Sequence, residues 1–128
     1  EKQKQYFYKI INLAKENNIP LLLVKTPSNV LEKDQKLYNT VKKMAKEEGV
    51  PFIDFNRRYD EIGLDIKDDF FDKSHLNYKG AEKFTSYFAG IIAKEYPNVK
   101  SKDTNNTTSM WENDIREYRK YIKSINKN

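Results

Sequence analysis

Ile19-Pro20-Leu21-Leu22-Leu23-Val24 is the longest apolar run in the chain, bounded by Asn18 and by Lys25-Thr26-Pro27. It is strand-sized and far short of the roughly 20 residues that a membrane-spanning helix needs. A continuous run without polar alternation suits a strand covered on both faces, as in a parallel sheet. Upstream, Phe7, Ile10, Ile11 and Ala14 fall at helical spacing, which predicts a helix over residues 2–17, ended by Asn17-Asn18. Downstream, Thr26-Pro27-Ser28-Asn29 reads as a turn. Leu37, Val41, Met44 and Ala45 then predict a helix over 33–48, stopped by Gly49. Phe52-Ile53-Asp54-Phe55 follows as a second short strand. Helix, strand, helix, strand with short links is the order of an α/β sheet with crossover connections.

Residues 56–77 read as a loop, and Asn77 suits the cap of a helix that starts at Tyr78. Ala81, Phe84, Thr85, Phe88, Ile91 and Ile92 form the expected buried stripe of that helix, which ends near Tyr96-Pro97. The division expected is a domain portion over 1–96, a polar linker over 97–110 and an amphipathic closing helix over 111–128. Trp111, Ile115, Tyr118, Ile122 and Ile125 lie on one stripe of the last helix, which must dock on the domain or on a partner. Two strands are few, because sheets commonly hold about five. Further strands are therefore expected from another chain or from an absent amino-terminal half of the domain. The chain starts at Glu1 rather than at a Met, with no legible signal peptide, and is expected to be a trimmed piece of a longer one. Exposed sheet edges predict self-association or swapping of elements.

Composition narrows the function classes. The 128 residues carry 24 Lys and Arg against 19 Asp and Glu, a net charge of +5, but the signs are mixed along the whole chain. No run of like charge or basic–aromatic motif supports a nucleic-acid partner, so none is expected. Aromatic residues at 13% argue against disorder. There is no Cys, which excludes disulfides, cysteine nucleophiles and thiolate metal sites. With one His and scattered carboxylates such as Asp68 and Asp69, neither a metal site nor a cofactor is expected, since three or four convergent ligands are needed.

His75 is the single histidine, at the end of a loop beyond the second strand, and Asp72 stands three residues before it. Asp-x-x-His in a turn lets a carboxylate hold one imidazole nitrogen, leaving the other as a base. On spacing alone the same pattern also fits an ordinary surface turn. Ser28 follows the first strand at the sheet edge where His75 should lie. Its Thr-Pro-Ser-Asn context is ordinary turn chemistry, so Ser28 is assigned to the lining of the crevice. Ser74 is too near in sequence to His75 to serve as its nucleophile.

The stretch Asp69-Phe70-Phe71-Asp72-Lys73-Ser74-His75-Leu76-Asn77-Tyr78-Lys79-Gly80-Ala81-Glu82-Lys83-Phe84-Thr85 resembles the last signature block of the SGNH (GDSL-type) hydrolase family. In that family an Asp-x-x-His-Leu-Asn stretch opens the final helix, with Gly-Ala soon after. The resemblance implies a flavodoxin-like three-layer α/β fold, with only the carboxyl-terminal part of its sheet in this chain. Leu21–Lys25 would be the fourth strand, Phe52–Phe55 the fifth, and the tail from Trp111 the closing helix of bacterial members. It implies His75 as general base and Asp72 as its orienting partner; Asn77, with Ser28, is expected at the substrate. The nucleophilic Ser and the oxyanion-hole groups have no counterpart in residues 1–128 and would lie upstream. The function implied is a serine ester hydrolase or acyl transferase acting on acyl esters, acylated glycans among them, inactive as the isolated chain. A glycan- or partner-binding module without turnover stays open beside it.

Overall fold

The computed structural model describes residues 2–29, 31–99 and 105–125. Two units are distinguished, the first ending at Ile91 and the second starting at Ile92. In the first unit, helix α1 (Lys2–Glu16) leads to strand β1 (Leu23–Lys25), helix α2 (Glu32–Glu47) and strand β2 (Phe52–Asp54). A 3-10 turn (Phe55–Arg57) and a one-turn helix α3 (Tyr59–Ile62) follow, and helix α4 (Tyr78–Glu95) carries the chain into the second unit. Helix α5 (Asn105–Ile125) lies in the second unit.

The strands pair in parallel, with Leu23 opposite Phe52, Val24 opposite Ile53 and Lys25 opposite Asp54. Side chains alternate faces along a strand, so this register sorts the core into two clusters. Leu23 and Phe52 pack with Ile11 of α1 and Ala45 of α2, joined by Phe7, Leu21 and Val50. Val24 and Ile53 face the other way, onto Phe55, Ile62 and Leu64, with Phe84, Tyr87, Phe88 and Ile91 of α4. Helices thus cover both faces of the sheet. Phe55 is fully buried, and Phe84, Phe88 and Tyr87 meet its ring edge-on at 5.0, 5.5 and 6.2 Å. Each such pair adds about 1 kcal/mol beyond area burial, which pins α4 to the sheet.

α1 and α2 stop in the same way. Ile19 N–H donates to Ala14 O at 2.8 Å and Asn18 N–H to Lys15 O at 3.1 Å, with Asn18 left-handed at φ 53°. Val50 N–H donates to Ala45 O at 2.8 Å and Gly49 N–H to Lys46 O at 3.1 Å, with Gly49 at φ 69°. This paired bonding satisfies the last carbonyls of a helix, and it needs a residue that tolerates positive φ.

Several expectations of extent differ from the structure: the second strand ends at Asp54, with Phe55 in the 3-10 turn, and the expected loop over 56–77 holds the rest of that turn and α3. The first strand, expected from Ile19, is confined to Leu23–Lys25. Ile19 is taken up by the end of α1, Pro20 has no N–H to give, and β2 offers only three residues to pair with. The closing helix, expected from Trp111, starts at Asn105, so residues 105–110 of the expected linker are helical. Extending a formed helix adds one hydrogen bond per residue fixed, so polar residues without periodicity can join it. Residues 100–104 of that linker lie outside the described residues. Every residue of β1 is only half-buried, although the run that holds it is apolar.

Candidate functional site

Residues 69–77 fold back on themselves just ahead of α4. Asn77 N–H donates to Asp69 O at 2.9 Å, Phe70 and Leu76 form an antiparallel bridge, and Phe71 N–H donates to His75 O at 2.9 Å. Asp72 to His75 make the turn between the two arms. Asp72 Oδ1 accepts the N–H of Ser74 at 2.7 Å and of His75 at 2.9 Å, an Asx-type closure. The same carboxylate meets His75 Nδ1, at 2.9 Å from each oxygen. With Nδ1–H directed at a carboxylate, Nε2 carries the lone pair of the neutral ring. The Ser74 N–H, then the His75 side chain, hold the Asp72 carboxyl below its ordinary range. The pair is open to solvent, with 74% of the His75 side chain and 48% of the Asp72 side chain exposed.

A depressed carboxyl contributes stability that is present above the unfolded-state pKa and lost as pH falls through the folded-state value. The Asp72 turn should therefore hold down to pH values below 3.8, the ordinary value for Asp. The Ser74 amide resonance, followed by NMR, is expected to titrate with a midpoint below that value. A midpoint at or above it would contradict the turn.

The turn is anchored to α4 from beneath. Asn77 Oδ1 accepts Gly80 N–H at 3.1 Å, and its Nδ2 donates to Asp68 O at 2.7 Å. Of the two roles expected for Asn77, helix cap and substrate contact, these bonds match the first: both polar atoms of its amide are engaged by the backbone at the start of α4. Asn77→Ala is expected to cost about 1–2 kcal/mol, read as a drop in thermal midpoint. Gly80 is buried, and a Cβ there would lie 2.2 Å from Asp69 O. Asp69 itself is 1% exposed; its Oδ2 accepts Asp65 N–H at 2.8 Å and Lys83 Nζ at 2.6 Å. Burial alone would raise this carboxyl, but Lys83 and the Asp65 N–H more than offset it, and it stays below its ordinary range. Lys83 also donates to Gly63 O at 2.9 Å. Sequence reading missed Lys83, which lies fourteen residues from Asp69 and meets it only once α4 has docked. The adjacent Phe70 and Phe71 divide: Phe70 is buried and Phe71 is 81% exposed.

Ser28 and Ser74 line one open groove of about 780 Å³, together with Lys73 from the His75 turn. Leu31, Leu37, Tyr38 and Val41 give it apolar surface, and Lys25 lines it as well. Ser28 N–H donates to Asn56 Oδ1 at 2.8 Å, and Ser28 Oγ accepts from Lys25 Nζ at 2.6 Å. Lys25 Nζ also lies 4.9 Å from the centre of the Tyr38 ring. Burial lowers the Lys25 ammonium from its ordinary value, partly offset by Asp54. Asp54 in turn accepts Gln35 Nε2 at 2.6 Å and Asn56 N–H at 3.1 Å. The carboxyl ends of both strands and the start of α2 are thereby tied together.

No curated protein and no solved structure matches the chain. The model of an uncharacterised family matches residues 1–97, a span that takes in both strands, the Asp72–His75 turn and all of α4, and the chain belongs to that family.

Proposed function

We propose that residues 1–96 are the His- and Asp-bearing part of an SGNH-type serine hydrolase or acyl transferase with a flavodoxin-like sheet. The observation that carries this is the Asp72 carboxylate on His75 Nδ1 at 2.9 Å, in a turn that borders an open groove. In the reaction, a serine hydroxyl attacks the carbonyl carbon of an acyl ester while His75 Nε2 takes its proton. The same nitrogen returns the proton to the departing alkoxide, and an acyl-serine remains. Water or a second alcohol then takes the acyl group, with His75 again moving the proton. Asp72 fixes which nitrogen does this work. The serine and the oxyanion donors come from sequence upstream of Glu1, on strands that extend the sheet. The half-burial of β1 and the two-stranded sheet among the described residues favour such an extension.

The groove beside the turn takes the ester, its apolar surface the acyl portion and Ser28 with Lys25 the polar portion. The test is hydrolysis of an aryl acetate by the full-length protein, with and without His75→Ala. Loss of turnover in the variant supports the proposal. Equal rates overturn it and favour a binding module without turnover.

A further inference from the structure

Helix α5 has a surface that nothing in the proposed chemistry uses. Trp111, Ile115, Tyr118, Ile122 and Ile125 follow one another at intervals of four, three, four and three residues. That is the apolar repeat of a coiled-coil seam, sustained over two heptads and about 22 Å of helix. Trp111 is 64% exposed, Ile115, Tyr118 and Ile125 are exposed, and Ile122 is half-buried. In heptad terms Ile115 and Ile122 take the a positions and Trp111, Tyr118 and Ile125 the d positions.

The charges sort by face. Away from the seam, Arg116 donates to Asn113 at 2.8 Å and Lys120 pairs with Glu117 at 2.8 Å, all within the helix. Asp114 and Arg119 flank the seam at g and e. Among the described residues neither has a hydrogen-bond or ion-pair partner. They are five residues apart, too far round one helix to meet each other. In a parallel pair of helices, g of one chain faces the following e of the other. That geometry joins Asp114 to Arg119 of a second copy, twice per dimer.

We propose that α5 is a parallel dimerisation helix whose partner is α5 of a second copy of this chain. The charges outside the seam argue against a lipid surface, because Glu112, Asp114 and Glu117 are mixed with Arg116, Arg119, Lys120 and Lys123. Helices that lie on anionic membranes concentrate one sign there.

The test is sedimentation velocity of the full chain over a concentration series, with circular dichroism to verify folding. Wild type is expected to dimerise. Asp114→Arg and Arg119→Asp are each expected to weaken the dimer about ten-fold, because two contacts per dimer become repulsive. The double variant restores attraction in both contacts and should return to near wild-type affinity. Ile115→Asp should leave a monomer. A wild type that stays monomeric, single variants that dimerise as well as wild type, or a double variant as weak as the singles would each overturn the proposal. So would a monomer that binds phosphatidylglycerol vesicles and loses them with Ile115→Asp.

Discussion

Gly80→Ala is expected to destabilise the protein by about 3 kcal/mol or more, although alanine is the better helix former. The gain from propensity is about 1 kcal/mol at most. Against it stands a methyl group 2.2 Å from Asp69 O and 3.0 Å from both Asp69 Cβ and Leu76 Cδ2. The first of these is a backbone carbonyl already bonded to Asn77 N–H, so it cannot rotate aside. Either α4 shifts away from the hairpin or the Asp69–Asn77 bond opens. Overpacking in closed sites commonly costs 1–3 kcal/mol and more when backbone must move. For a chain of this length, that is a fall of roughly 10 °C in thermal midpoint. Gly90 is the control. It lies in the same helix with open space around the added carbon, so Gly90→Ala should raise the midpoint slightly. Two variants with the same chemistry and opposite signs separate the close approach at Gly80 from helix propensity. An unchanged midpoint in Gly80→Ala would show that the hairpin does not sit on α4.

The second large effect concerns turnover by the full-length protein. On the proposed chemistry, His75→Ala should lower kcat by roughly three orders of magnitude or more, with little change in KM, because proton transfer is lost and ground-state binding is not. Asp72→Asn is more discriminating. The amide oxygen can still accept the Ser74 and His75 N–H bonds, so the turn is kept, while Nδ1 no longer faces a carboxylate. Because Asp72 is half-exposed, the expected loss is smaller, roughly 10²-fold. A folded Asp72→Asn protein with unchanged kcat would remove the orienting role. His75→Ala at wild-type kcat would remove the whole mechanism.

How far the sequence led follows from the range of each interaction. Asp72 and His75 are three residues apart, and an Asx turn closes over that distance, so the spacing was enough to pair them. The helices announced themselves by periodicity, Ile11 and Ala14 or Phe84 and Phe88 recurring at the spacing of one buried face. Asn77 was legible as a cap, but its engagement with Asp68 O was not, since that bond depends on the hairpin. The ion pair of Asp69 with Lys83 and the closeness of Gly80 to Asp69 arise only when the hairpin lies on α4. No local pattern encodes them. The apolar run from Ile19 overstated its strand because a ladder is limited by the shorter of two strands, and β2 is short.

The joint between α2 and β2 has a further consequence. Val50 donates its N–H to the final turn of α2 and also lies buried against Ile11 and Ala45. Helices ordinarily fray from their ends in small, independent openings. Here the last turn cannot unwind without drawing a core side chain into water and loosening the first pair of the sheet, which follows two residues later. The amide of Val50 should therefore exchange with solvent on the timescale of whole-unit unfolding, so that the carboxyl end of α2 melts in concert with the sheet.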